Sequence, residues 1–515
     1  MHFPSRTSLP PIFNFRLSFP AANLGKAAEQ NCLALLETCK TLPSLLRIQT
    51  HILKSGLDAN LLVLTKFTST SSVLGYPPAH SAALLFSPTA PTHLYDTFLF
   101  NTIIRSFTES THSKPNAFVY FSLMLRQNLA PNNFTFPFLL KACASMQDLA
   151  LGLRLHCSAV RFGLGDDQFV RNTLIHMYSA CGHTKLARRV FDGTSKSDCV
   201  TWSSMISGYV RSKSANQAVD LFREMQVSEV RPDEVTIITV LSACADIGGS
   251  GLSKWILSYI DRENVPKTLS LSNALLDMLA KCGDVDTAVS LFSNMSTKTI
   301  ISYTSMITGL ATHGRGREAV ELFDEMMNYD IIPDDVSFIG VLSACSHSGM
   351  VEDGFRYFEM MTGTFGIEPK IEHYGCMVDL LTRAGLVDRA VDFTESMPVN
   401  PNAVILRTLV GACQVHGKFD IGQRIMKRLV AEDPTNVSNY VASANVYASM
   451  CQWEKKSDLR LMMMDRGLSK VPGWSSVEIS GDVYEFVAGD TSNPRWIEIF
   501  QMAGDIGRYQ ELNIT

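Results

Sequence analysis

Apolar and polar residues recur along most of this chain with a helical period, in paired short runs that stop and start again. In Cys199–Asp233, Met205, Ile206 and Tyr209 share one face of a helix predicted near Thr201–Arg211. Ala218, Leu221, Phe222 and Met225 share one face of a second helix near Asn216–Val227. Gly208 in the first run leaves room for a neighbouring helix. Pro232 ends the second run, because proline has no N–H with which to continue a helix, and Glu234, Val235 and Thr236 open the next unit at once. The pattern predicts helical hairpins, none of which can cover its own apolar face alone.

The hairpins repeat. NTLIHMYSACG at Asn172–Gly182 matches NALLDMLAKCG at Asn273–Gly283, and TVLSACADIGG at Thr239–Gly249 matches GVLSACSHSGM at Gly340–Met350, each pair 101 residues apart. Anchored on the fifth position of each first helix, the units fall at Asn101, Pro137, Asn172, Ser203, Ile238, Asn273, Thr304, Ile339 and Gly375. Their spacings are 36, 35, 31, 35, 35, 31, 35 and 36 residues, so a long, long, short order recurs. The predicted fold is all-α, a solenoid of stacked helix-turn-helix repeats. Glu29–Asn60 matches a shortened repeat and Leu61–Asp96 a degenerate one, with Pro77-Pro78 distorting one of its helices. Alternating runs at Trp474–Ile479 and Val483–Val487, separated by Gly481-Asp482, predict a short β-hairpin near the C-terminus, and the helical array is expected to end near residue 470.

Composition narrows the class. Hydrophobic residues make up 46% and charged residues 18%, and no apolar run reaches the roughly 18 residues needed to span a bilayer. The net charge of −5 argues against a generically basic, sticky protein, though one basic inner face is compatible with it. The twelve cysteines fall in repeat phase: Cys143, Cys244, Cys345 and Cys413 follow an alanine, and Cys181 and Cys282 precede a glycine. They are expected to be small buried helix residues rather than a disulfide framework. The first 28 residues lack Asp and Glu and carry Arg6, Arg16 and Lys26 among Ser and Phe, the composition of an organelle transit peptide. The Phe- and Leu-bearing stretch around Arg6 and Arg16 favours a mitochondrial address, with the chloroplast as the alternative.

At these residues the chain resembles the plant pentatricopeptide repeat (PPR) proteins, in the subclass that alternates P, L and S repeats. VTWSSMISGYVRS at Val200–Ser212 with AVDLFREMQVSEVRPD at Ala218–Asp233 resembles a P repeat, DEVTIITVLSACADIG an L repeat, and SNALLDMLAKCGDVDTAVSLFSNM an S repeat. Ile371–Asn402 is similar to the family's last S repeat, Ala403–Asn436 and Asn439–Ile479 to its two extension (E) motifs, and Val483–Pro494 to the segment that follows. The resemblance implies a right-handed α-solenoid and the following organisation: transit peptide 1–28, degenerate L and S repeats 29–96, about nine repeats over 97–402, extension motifs 403–480 and a shortened tail 481–515. In this family such a tail is associated with C-to-U editing of organelle transcripts.

Repeats of this kind take one base each through two or three side chains. By position, the reading pairs are Thr65 with Asp96, Asn101 with Asn132, Asn172 with Asp198, Ser203 with Asp233, Asn273 with Thr299, and Thr304 with Asp334. Phe98, Phe169, Val200 and Ile301, at the second position, are expected to pack on base faces. The resemblance implies guanine for Thr or Ser with Asp, uracil for Asn with Asp, and a pyrimidine for Asn with Asn, with a weaker pyrimidine preference at Asn273–Thr299. Pro137, Ile238 and Ile339 offer no polar group, and Gly375 with Asn402 is weak. The implied site is G-Y-n-U-G-n-Y-G-n-n, Y being a pyrimidine, with the edited cytidine about four nucleotides further on. Any one of these Asn or Asp residues could equally be a helix cap; their paired recurrence in register argues for reading.

The family's deaminase would need His-x-Glu and Cys-x-x-Cys for zinc, and the sequence contains neither. The expectation is a non-catalytic specificity factor without cofactor, membrane or small-molecule substrate. Its partners would be single-stranded organelle RNA, a DYW-type deaminase acting in trans, and organellar editing accessory factors. Transcript processing, splicing or stabilisation is the alternative within RNA biology. A protein-binding helical scaffold is the alternative outside it, but such repeats run a uniform 34 residues without a recurring polar pair.

Overall fold

A computed structural model describes residues 26–57, 60–75, 96–110, 114–193, 197–470, 473–479, 482–487, 498 and 501–502. The expected transit peptide lies outside these residues except for its last three, which begin the helix Lys26–Glu37. Pro77-Pro78, Gly481 and the segment 488–494 lie outside them as well. The chain forms two compact units, Met1–Val240 and Leu241–Thr515, divided inside the helix Glu234–Ile247.

In each unit the helices pair into antiparallel hairpins, and the hairpins stack. In the first unit, the first helices Thr97–Glu109, Thr135–Met146, Gln168–Ala180 and Cys199–Arg211 pack in sequence order, each against the next, with Leu61–Val73 before them. In the second, Leu269–Lys281, Ile300–Thr312, Asp335–Ser348, Ile371–Arg383, Ala403–Val415 and Val437–Ser449 do the same. The hairpin expected over Cys199–Asp233 is found as Cys199–Arg211 and Ala215–Val227, with Met205, Ile206, Phe222 and Met225 fully buried. The degenerate repeat still forms a regular first helix, Leu61–Val73, because Val63, Leu64 and Phe67 are buried. In the tail one cluster of Val378, Leu381, Ile405, Leu409, Met426 and Val446 joins successive hairpins.

The recurring short spacing has a local cause. In the 31-residue units the second helix is cut to 9 residues at Thr184–Asp192 and 10 at Val285–Asn294, against 13 in Ala215–Val227 and Gly316–Asn328. The first helix keeps 13 residues in both classes. Each shortened helix is locked by an aromatic pair to the following first helix: Phe191 on Trp202 (4.8 Å between centroids, 74°) and Phe292 on Tyr303 (5.1 Å, 81°).

Cys143, Cys244, Cys345 and Cys413 are buried, as small core residues of the first helices. Cys181 and Cys282 differ from the expectation. They are half-buried C-caps, each followed by a left-handed glycine, Gly182 (φ +78°) and Gly283 (φ +83°). The Cys-Gly signature is therefore a helix stop, since only glycine enters this conformation without strain. Near the C-terminus Trp474–Ile479 and Asp482–Val487 pair antiparallel, with Trp474 opposite Val487. Asp482, expected in the turn, pairs with Ile479. Among the described residues no helix is long and apolar enough to cross a membrane.

Close approach of first helices depends on glycine. A Cβ on Gly208 would lie 2.3 Å from Ser179 Oγ, and one on Gly309 would lie 2.6 Å from Ala280 Cβ. Gly309→Ala should lower stability by about 1–3 kcal/mol through overpacking. Adding Ala280→Gly, which moves the methyl group to the other side of the contact, should recover most of that loss. Urea denaturation of the two variants checks both.

Candidate functional site

Every first helix begins with backbone N–H groups that have no partner within the helix. At most of them the last residue of the preceding repeat supplies an acceptor. Asp96 accepts from Leu99 N (2.8 Å), Asn132 from Thr135 N (3.2 Å), Asp198 from Thr201 N (2.9 Å), Asp233 from Thr236 N (2.8 Å) and Asp334 from Ser337 N (2.8 Å). Asp96, Asp198, Asp233 and Asp334 are thus also N-caps, and Asn132 reaches the start of its helix from two residues before the cap. At Asp198, Asp233 and Asp334 the bonds from the following helix converge on Oδ1. The second oxygen of Asp233 and of Asp334 makes no intramolecular hydrogen bond among the described residues.

The third residue of the following repeat completes the junction. Thr135 Oγ1 donates to Asn101 Oδ1 (2.7 Å), Thr201 Oγ1 to Asn172 Oδ1 (2.8 Å) and Ser302 Oγ to Asn273 Oδ1 (2.7 Å). Thr236 Oγ1 meets Ser203 Oγ in a short contact, and Ser337 Oγ meets Thr304 Oγ1 at 2.9 Å. Each of these hydroxyls also touches the last residue of the repeat. Five of the six predicted pairs are therefore joined, but chiefly through an intermediary; only Asn101 also bonds its partner directly, Nδ2 to Asn132 Oδ1 at 2.9 Å.

Thr65 and Asp96 are the exception. Thr65 is 7% exposed and donates its hydroxyl to Leu61 O (2.7 Å), and an apolar Leu99 stands where the bridging hydroxyl would be. No hydrogen bond joins this pair. The repeats with apolar fifth residues show the same logic, since Pro137 and Ile238 are followed at the bridging position by Val170 and Leu271. After Ile339 the position holds His373, which turns to Lys370 N (3.0 Å) and Asp335 O (2.9 Å). Gly375 has no side chain to offer, and Asn402 caps Ile405 N (3.0 Å).

The bridging residues Thr135, Thr201, Thr236, Ser302 and Ser337 were missed by sequence reasoning. Their signal is a Thr or Ser in fixed phase, present only after a repeat whose fifth residue is polar.

Beside the junctions lies a row of wet apolar side chains. Phe98, Phe169, Val200 and Ile301 are 66%, 63%, 53% and 60% exposed. The same position holds Phe134, Val235 and Val336, also at least half exposed and not among the predicted residues. Phe134 and Phe169 lie 6.4 Å apart. Partly buried polar groups beside such apolar faces can receive a flat heteroaromatic ring, packed on its face and hydrogen-bonded along its edge. Among the described residues no cluster of His, Cys, Asp and Glu could hold a metal ion.

Comparison with known proteins fits this geometry. Models of the PPR repeat family match residues 197–246 and 298–347, PPR repeat models match 271–300, 336–363 and 372–400, and an E motif model matches 416–478. A pentatricopeptide repeat-containing protein of Arabidopsis thaliana, named chloroplastic/mitochondrial, is 37% identical over 501 residues, covering 94% of this chain and 78% of its own length. The chain belongs to the pentatricopeptide repeat family. A second Arabidopsis thaliana member is 35% identical and covered over 94% of its length, with 92% of this chain aligned. The crystal structure of the PPR protein PPR10 from maize shares the fold, with a TM-score of 0.50 at 17% identity, over 86% of this chain and 74% of that one.

Burial opposes ionisation of Asp198, but hydrogen bonds from Thr201 and Gln168 outweigh it and hold the carboxyl below its usual range. Because folding lowers this pKa, the stabilisation is complete above the ordinary carboxylate value of about 4 and fades as pH falls through the lowered folded value. Asp198→Ala, which removes the cap, should cost about 0.5–2 kcal/mol. Asp198→Asn, which keeps a capping oxygen, should cost less. Urea midpoints at neutral pH separate the two.

Proposed function

We propose that this chain is a sequence-specific single-stranded RNA-binding adaptor of the P-L-S subclass, with E-type extension and no catalysis of its own. It selects cytidines for C-to-U editing in organelle transcripts and brings a DYW-type deaminase to them in trans. The observation that carries the reading is the recurrence, at five junctions, of a tethered polar pair beside an exposed apolar side chain. A base packs on the apolar residue, and its edge meets the pair. Membership of the PPR family and the E motif match over 416–478 support the editing role. The chloroplastic/mitochondrial name of a relative supports an organellar site of action, for which the basic, acid-free N-terminus favours the mitochondrion. Residues 403–494 are the proposed surface for the deaminase and the accessory factors.

In register, the site is G-Y-n-U-G-n-Y-G-n-n. The first guanine depends on Thr65 and Asp96, the pair without a junction, and should contribute least. Titration of the purified chain with this ten-base RNA should give affinity that falls steeply with added salt. Replacing the guanine aligned with Ser203–Asp233 should weaken binding about tenfold, within the range of one base contact. Equal affinity for every single-base variant would refute sequence reading. In plants lacking the protein, loss of editing at one or a few cytidines downstream of this motif would support the role. Intact editing with a shortened or unspliced transcript would move it to processing.

A further inference from the structure

Further along the helix face that carries the polar pairs lie three groups that the pairs do not use. Lys141 and His176 follow Pro137 and Asn172 by one helical turn, and Arg211 follows Ser203 by two. Lys141 and Arg211 are exposed and His176 is half-buried. Elsewhere on this face cations are neutralised within their own helix: Arg105 by Glu109, Lys281 by Asp277 and Arg383 by Asp379, each at 2.8 Å. Arg211 has the same phase as Lys281 and Arg383, but Ser207 stands where their carboxylate would be. Its guanidinium reaches instead to the preceding first helix, where Nη1 lies 3.0 Å from Nε2 of His176. Neither Arg211 nor Lys141 has a carboxylate partner among the described residues.

This contact fixes a protonation state. A guanidinium only donates, so Nε2 accepts with its lone pair, and the imidazole is neutral with its proton on Nδ1. Protonating Nε2 would break the bond and set three positive groups side by side. Burial holds His176 below its usual range, and the charges of Arg211 and Lys141 push it further down. The charged groups that face it are Arg211, from Cys199–Arg211, and Lys141, from Thr135–Met146. On the other side of its helix, His156 and Cys157 of Leu149–Arg161 face Tyr178, and Arg188 of Thr184–Asp192 is held by Asp192 and Glu224. Arg171, on its own helix, is held by Asp166.

An anion reverses the balance. A phosphate oxygen accepts from Arg211, and Nε2 is then free to take a proton and donate to the same group. We propose that Lys141, His176 and Arg211 form a proton-linked phosphate seat: an RNA phosphate docks on the two cations and draws a proton from solvent onto His176. This rests on the RNA-binding function above. The seat makes the affinity for RNA depend on pH, with a defined sign. The free imidazole has a lowered pKa and the bound one a raised pKa, so binding takes up a proton between the two values and strengthens as pH falls through them. Each unit of difference between them corresponds to about tenfold in affinity.

The test compares the affinity of the full chain for the ten-base RNA at about pH 8 and about pH 6, across the range in which histidine titrates. Affinity should be about tenfold higher at the lower pH. His176→Gln, which keeps a hydrogen-bonding side chain that does not titrate, should remove that gain. The slope of log K against log salt should steepen by about 0.7 on acidification, one further counterion released from a single strand. In His176→Gln the slope should not change with pH. Urea midpoints establish that the variant is folded. On the unaltered chain, calorimetry in buffers of different ionisation enthalpy should find net proton uptake when RNA binds near neutral pH. An equal pH gain in wild type and His176→Gln, or no proton uptake, overturns the seat, while guanine preference opposite Ser203 would still support RNA reading. A chain that binds no RNA at either pH overturns both.

Discussion

The structure depends on how each first helix begins. Its leading N–H groups must find acceptors, and at most of these helices the acceptor is the last side chain of the preceding repeat. This fixes Asp198, Asp233 and Asp334 to within a hydrogen bond of the following helix. A second tie from the third residue of that helix holds the fifth residue of the repeat before it. Three side chains from adjoining repeats are thus immobilised by a requirement of helix formation. On the proposed function, stability and recognition use the same atoms, and a substitution at a cap changes both.

Packing keeps the junctions equivalent. Glycine lets first helices approach at Gly208 and Gly309, two positions in the same phase of the repeat. The shortened units lose their residues from the second helix and keep the first. Their aromatic locks, Phe191 on Trp202 and Phe292 on Tyr303, hold the truncated helix against the following one. Variation in repeat length is absorbed away from the face that carries the paired polar groups.

Much of this was legible in the sequence because helix period, repeat phase and proline stops are local signals. The hairpin at Cys199–Asp233 and the register of Asn101, Asn172, Ser203, Asn273 and Thr304 needed no tertiary information. The bridging hydroxyls were hidden because a Thr or Ser early in a helix has an ordinary local role, and only the contact across repeats, as between Thr201 and Asn172, assigns another. Phe134, Val235 and Val336 give no such signal, because the fifth residues of their repeats, Pro137, Ile238 and Ile339, carry no polar group. Cys181 and Cys282 were misread as core because their phase resembled that of truly buried cysteines, whereas the left-handed glycine that follows makes them a stop. Thr65 shows the opposite failure: the right residue type stands at the right position, but Leu99 removes the bridge.

The exposed side chains at Phe98, Phe134, Phe169, Val200, Val235, Ile301 and Val336 have one more consequence. Single exposed apolar residues are ordinary, but here seven recur at one phase of the repeat and stay in contact with water in the empty protein. The empty protein is in that sense an unfinished fold, with part of its hydrophobic interior still to be supplied from outside. On the proposed function, a bound base acts as a removable piece of core and raises resistance to unfolding by mass action.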